Sequence, residues 1–191
     1  EQKRFIHTES AAAMLDAIQL KDMLDIPQVV FVGGYEAHMI TEQIKEAGIP
    51  IVLRRVHELP MHPDDPVHLP YQLPKILSDA GILVALDMEG DMEEINSRNL
   101  PFLAGTAAAY GLGYEEALKL ITSNTAKILG IEDKWGSLQK GKRATLFISS
   151  GNALEPTTSK VLRAFVNGVE VDLEDNKQKR LYKKYSDKYN K

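Results

Sequence analysis

The chain has 191 residues, enough to bury a real core in one or two domains, and its 43% apolar and 26% charged content is ordinary for a globular protein. A net charge of −4 and a pI near 5.8 argue against a nucleic-acid partner. The chain has no Cys, which excludes disulfides, thiolate metal sites and a Cys nucleophile, and no apolar run approaches the length of a membrane span, so no membrane partner is expected. No signal peptide is visible at Glu1, and the chain opens without Met almost directly into an apolar segment. It reads as a fragment or a processed form, and its compartment stays open.

Arg4–His7 predicts a short strand. Thr8 or Ser10 can cap a helix running to about Leu24, with Ala11, Met14, Leu15 and Ile18 on one face. Pro27 interrupts the chain. Gln28–Val32 is then a continuous β-branched and aromatic run closed by Gly33-Gly34, which suits a strand buried on both faces. A helix is predicted from Glu36 to Ala47, with Ala37, Ile40, Ile44 and Ala47 inward and Gly48 as its stop. Pro50–Val56 predicts the next strand, and His57–Pro70 a long loop rich in Pro, His and Asp. Leu73, Ile76, Leu77 and Ala80 mark a helix ended by Gly81. Ile82–Leu86 is a further strand, and a helical segment surrounds Leu100–Tyr110.

Strands alternating with helices in this way imply βαβ crossovers and a parallel sheet. The four strands are half of the eight that close a (β/α)8 barrel. The same alternation also fits a doubly wound α/β domain, although Gly33-Gly34 lacks the G-x-G-x-x-G spacing of a phosphate cradle.

The stretch Glu115–Ile148 reads as a helix, a break at Thr122-Ser123, a second helical piece ended by Gly130, and a strand over Ala144–Ile148. In Thr157–Asp172, Asn167-Gly168 between alternating apolar residues predicts a hairpin. From Asn176 the composition turns to Lys, Arg and Tyr. Leu181, Tyr185 and Tyr189, with Tyr182 beside them, fall on one helical face. This is either a solvated terminal helix or a basic tail that docks on something acidic.

The order EEALKLIT-SNTAKILGI-D-GSL-KGK-A-L-I resembles the C-terminal end of the metal-dependent amidohydrolases, near their imidazolonepropionase-like branch. In that family the segment links the last barrel helix to a small β-sandwich. The resemblance implies an α/β fold, the second half of a (β/α)8 TIM barrel over residues 1–135. A β-sandwich segment over 136–175 and a basic helical tail over 176–191 would follow it. The first half of the barrel lies outside this sequence. Arg143 and Thr145 stand where the family usually has acidic residues, a change that reads as local repacking.

Functional residues of a (β/α)8 barrel lie at the C-terminal strand ends and in the loops that follow. The resemblance puts a metal-ligand His where His7 ends the strand in FIHTE, and a neutral imidazole there can hold Zn²⁺ or a similar ion. The plain alternative is a polar residue hydrogen-bonded at a strand end. The family commonly ends its next strand with a second ligand His and a glycine. Here Gly33-Gly34 stands instead, and His38, one turn further on, becomes the second metal candidate. Glu36 is explained by the helix dipole alone.

In the Pro-rich loop, His57, His62 and His68 with Asp64 and Asp65 match no zinc spacing. His57, closest to its strand, is the candidate for substrate contact. The family's last strand ends in Gly-Thr-Asp, whose Asp binds metal and shuttles the proton of the attacking water. Here the strand runs into DMEGD: Glu89 falls in the family register and Asp87 nearer the strand end, so both are candidate bases. An acidic surface loop is the plain alternative.

Two functions from different classes follow. In the first, the complete protein hydrolyses a non-peptide C–N bond in a small-molecule substrate such as a cyclic amide or amidine. It uses a divalent metal, zinc foremost, that this chain alone need not hold. In the second, prompted by Gly33-Gly34 and Asp-Met-Glu at the expected ligand positions, the protein is a catalytically degenerate amidohydrolase-fold scaffold with a binding or structural role. A half barrel has two open strand edges, so the missing N-terminal half or a second copy of the chain is expected to pair across them.

Overall fold

The β-branched runs pair as expected of strands joined by helical crossovers. The computed structural model describes residues 2–54, 56–88, 93–174 and 176–189. Strands β1 (Arg4–Thr8), β2 (Val29–Gly33), β3 (Ile51–Leu53) and β4 (Val84–Leu86) form a parallel sheet in the order β1-β2-β3-β4. Every residue of β2 is buried, as a central parallel strand requires. The crossovers are α1 (Ala11–Met23), a 3₁₀ turn (Tyr35–Met39) leading into α2 (Thr41–Glu46), and α3 (Leu69–Asp79).

Two elements are shorter than the sequence predicts. The helix expected over 36–47 breaks at Ile40, whose φ is −133°. The first turn is 3₁₀, with the Ala37 amide on the Gly34 carbonyl and the Ile40 amide on the Ala37 carbonyl, and within it the His38 ring nitrogen Nδ1 donates to the Tyr35 carbonyl at 3.0 Å. The strand expected over 50–56 keeps only Ile51–Leu53, and beyond it the Arg54 amide makes one further, long ladder bond to the Gly33 carbonyl at 3.4 Å.

Side chains alternate between the two faces of the sheet. Phe31, Ile51, Leu53, Val84 and Leu86 share one face by register and are all buried, as are Ile44 of α2 and Leu73 and Leu77 of α3. Each such side chain contributes about 1.5–3 kcal/mol by leaving water. The opposite face carries Phe5, His7, Val30, Val32, Val52 and Ala85. In a closed barrel that face would look inward.

After β4 come α4 (Glu93–Asn96), α5 (Leu100–Ala107), α6 (Tyr114–Leu120) and α7 (Ser123–Leu129). Helix α7 docks onto the inward-looking face, where Ile128 packs with Val30 and Ala85. Two polar contacts fix it there. Lys3 Nζ donates to the Ile128 carbonyl at 2.6 Å, capping the C-terminal end of the helix. Asn124 Nδ2 donates to the Val84 carbonyl at 3.0 Å. β3 and β4 pair through Leu83, Ala85 and Asp87, so the Val84 carbonyl points away from β3, toward the outer edge of β4.

The chain divides into two compact units, Glu1–Ser137 and Leu138–Lys191. The second holds an antiparallel sheet of β5 (Leu146–Ser149), β6 (Val161–Val166) and β7 (Val169–Val171), followed by α8 (Lys177–Tyr189). Asn167 and Gly168, with φ of 51° and 84°, make the two-residue turn between β6 and β7. Arg143 and Thr145 hold that turn: Arg143 Nη1 donates to Asn167 Oδ1 at 3.3 Å, and the Asn167 amide donates to Thr145 Oγ1 at 3.1 Å. Both residues therefore have structural work at this hairpin.

Asn124→Ala is expected to lower the unfolding free energy by about 1–3 kcal/mol, the cost of orphaning a backbone carbonyl beside a buried strand. Urea unfolding of the two proteins checks this, and an unchanged midpoint would mean that α7 is held by Ile128 and Lys3 alone.

Candidate functional site

The C-terminal strand ends form a mouth with its own charge network. The ladder continues past the strands: the Gly34 amide donates to the Thr8 carbonyl at 2.8 Å, and the Asp87 amide to the Leu53 carbonyl at 2.9 Å. Glu9 follows β1 directly. Its Oε2 accepts from the Tyr35 amide at 2.9 Å, and its Oε1 lies 3.4 Å from Arg54 Nη1.

This carboxylate occupies the space above Gly33. A Cβ on Gly33 would stand 2.7 Å from Glu9 Oε1 and 2.7 Å from the Thr8 carbonyl oxygen. Gly33 also has φ of +105°, a conformation that side-chain-bearing residues rarely adopt. Backbone and packing together exclude a histidine there. Glu9, Tyr35, Arg54 and Met61 line a cleft of about 50 Å³, room for a few waters. A larger cavity of about 240 Å³ lies at the opposite end of the sheet, among Lys3, Val30, Ile49 and Ile128.

A second network ties down the loop after β3. Glu36 Oε2 accepts from the Ala11 amide and Oε1 meets His62 Nε2, both at 2.8 Å. The Tyr35 hydroxyl donates to Asp65 Oδ2 at 2.7 Å and accepts from the Met61 amide at 3.0 Å. The Ala11 amide first, and then His62, hold the Glu36 carboxyl below the usual carboxylate range. Burial and the bond to Asp65 push the Tyr35 phenol up, while that bond pulls the Asp65 carboxyl down.

The sequence-predicted residues are distributed around this mouth. His7 is exposed on β1, in the row His7–Val32–Val52–Ala85, and Asp87, two residues beyond Ala85, continues the same face. Asp87 is half-buried. His38 is held in the 3₁₀ turn by the Tyr35 carbonyl and packs edge-on to the Tyr35 ring. His57 lies on the other side of the loop, with its Nε2 2.6 Å from Thr106 Oγ1 and its ring edge-on to Tyr71. Desolvation pulls the pKa of His57 down, so the neutral ring is favoured there. His68 joins Tyr71 and Tyr110 in a ring cluster. Glu89 lies outside the described residues.

Among the described residues, no three His, Asp or Glu side chains stand together in a way that could hold one metal ion. His7 and Asp87 share a face, His38 is engaged elsewhere, and the position at Gly33 is filled. The donors described in this chain do not fit a metal centre by themselves. Sequence reasoning passed over Glu9, and it placed Tyr35 and Arg54 in the strand-end stretches 33–38 and 54–68 without giving either a role. The available signal was an acidic residue two positions beyond His7, beside a glycine pair that leaves room for it.

Comparison with known proteins places these features in a family. The amidohydrolase family model matches residues 7–172. An amidohydrolase from Thermotoga maritima MSB8 is 30% identical, with a TM-score of 0.73 over 89% of this chain and 43% of its own. A Xaa-Pro dipeptidase with bound methionine in its active site is 19% identical, with a TM-score of 0.66 over 90% of this chain and 45% of its own. An adenosine deaminase from Xanthomonas campestris with bound zinc is 17% identical, with a TM-score of 0.58 over 99% of this chain and 51% of its own. The last two similarities speak for the fold alone. This chain thus spans about half, or less, of the length of these proteins. No curated protein matches it.

The depressed Glu36 and Asp65 carboxyls add stability that is present above the ordinary carboxylate pKa and lost as pH falls through their folded values. Unfolding midpoints should therefore drop on acidification from about pH 5 to about pH 3. Glu36→Gln, which keeps an acceptor for the Ala11 amide, should make that drop shallower. Parallel curves for the two proteins would remove Glu36 from the account.

Proposed function

Because this chain belongs to the amidohydrolase family, we propose that it is the C-terminal half of an amidohydrolase barrel whose own metal positions have been given up, leaving a scaffold for binding or assembly. The observation that carries this reading is Glu9. Its carboxylate fills the space over Gly33 and is neutralised by Arg54 and the Tyr35 amide, where a metal-binding barrel needs an open imidazole. A guanidinium beside that position also repels a divalent cation. The half supplies four strands of a barrel wall, and Glu9, Tyr35 and Arg54 at its mouth are held to one another.

A second reading is favoured by His7 and Asp87, which share the inward-looking face toward the C-terminal strand ends. In it, the complete protein hydrolyses the C–N bond of a small molecule, a cyclic amide or amidine. A metal ion held largely by the first barrel half supplies activated water. His7 would then add a ligand, and Asp87 or Glu89 would take a proton.

The two readings part on metal content. In the complete protein, including the N-terminal half, His7→Ala and Asp87→Asn are expected to leave the bound Zn²⁺ measured by elemental analysis unchanged. The affinity from a chelator competition should also stay within about twofold. A tenfold or greater loss of zinc affinity in either variant overturns the scaffold reading in favour of the hydrolase.

A further inference from the structure

We propose that α8 is a docking helix for an anionic lipid surface, on which it lies flat. Residues 176–191 carry seven Lys or Arg and a single Asp, a net +6. With −4 for the whole chain, the remaining 175 residues carry −10. So sharp an asymmetry marks a segment with a partner of its own.

The cations are not balanced within the helix. Lys179 and Lys183, Arg180 and Lys184, and Lys184 and Lys188 are like-charge pairs one turn apart, an arrangement that weakens an isolated helix. Glu174 answers two of them, at 2.8 Å from Lys179 and 3.3 Å from Lys183. A dense anionic surface would relieve this crowding of like charges.

The other side of the helix tells what kind of surface. At 100° per residue, Leu181, Tyr185, Tyr189 and Tyr182 fall within an arc of about 100°, and the Lys and Arg side chains take the remaining circumference. The four are 42%, 45%, 76% and 73% exposed. A polyanion with no apolar interior, such as a nucleic acid or an acidic peptide tract, has no use for that arc. A bilayer has both layers: headgroups that match the Lys and Arg rim, and an acyl boundary for Leu and the tyrosine rings, whose hydroxyls stay at headgroup level. Lys184 and Lys188 already lie 5.4 and 5.8 Å from the rings of Tyr185 and Tyr189, stems along the arc and charges at its rim. No helix among the described residues is long and apolar enough to cross a membrane, so the contact is along the surface.

Co-sedimentation of the full chain with phosphatidylcholine vesicles, with and without one-third phosphatidylserine, tests the proposal. Binding is expected only to the anionic vesicles, falling at least tenfold between about 0.1 and 0.5 M NaCl. Lys179→Glu/Lys183→Glu/Lys184→Glu should abolish it. Leu181→Ser/Tyr185→Ser, which keeps every charge, should reduce it at least fivefold. Thermal melting of each variant checks that the rest of the fold is intact. A chain truncated after Glu174 provides the same comparison if a substituted tail perturbs the fold. The proposal fails if anionic vesicles are not bound, or if the truncated chain binds them equally. It also fails if Leu181→Ser/Tyr185→Ser binds like the parent, which would reduce the helix to a general polyanion binder.

Discussion

The mouth of this half barrel depends on one carboxylate. Glu9 stands one residue past β1 and reaches across to β2, where Gly33 leaves a space no other residue type would leave. The Tyr35 amide and Arg54 then hold it in place. Those contacts hold the Arg54 side chain beside Glu9 and set the position of Tyr35, while the Arg54 amide still donates to the Gly33 carbonyl at 3.4 Å. Tyr35 in turn anchors Met61 and Asp65 of the following loop. The arrangement of the mouth follows from a glycine that permits an approach and an acid that makes it.

The same geometry separates what holds the sheet from what fills the mouth. The barrel wall is maintained by apolar burial on the helix-covered face, by Ile128 on the other, and by the Asn124 and Lys3 contacts that seat α7. Of the apolar residues buried on the helix-covered face, only Leu53 and Leu86 close a strand, and both point away from the row that carries His7 and Asp87. On a barrel, stability sits at one end of the strands and function at the other.

The second unit follows separate rules. Its sheet is antiparallel, its turn is fixed by the positive φ of Asn167 and Gly168, and Arg143 and Thr145 tie the strand leading into β5 to that turn. Arg163 of β6 reaches diagonally to Glu170 of β7, which stands opposite Phe165, in a bidentate pair with bonds of 2.7 and 2.9 Å. That pair is solvated and adds register more than stability.

Sequence by itself determined the alternation of strands and helices, the parallel sheet and the hairpin at Asn167-Gly168, because periodicity and turn chemistry act over a few neighbouring residues, and the resemblance of Glu115–Ile148 pointed to the family. It also located the mouth, since strand ends are legible wherever an apolar run stops. The contents of the mouth were not legible. His38 was readable as one turn into a helix, but only the fold showed a 3₁₀ turn there with the His38 ring on the Tyr35 carbonyl. Glu9 and Arg54 lie forty-five positions apart in the chain and meet only when β1, β2 and β3 lie side by side. Contacts between sequence-distant side chains depend on register and backbone conformation across the sheet, and only the tertiary structure sets those.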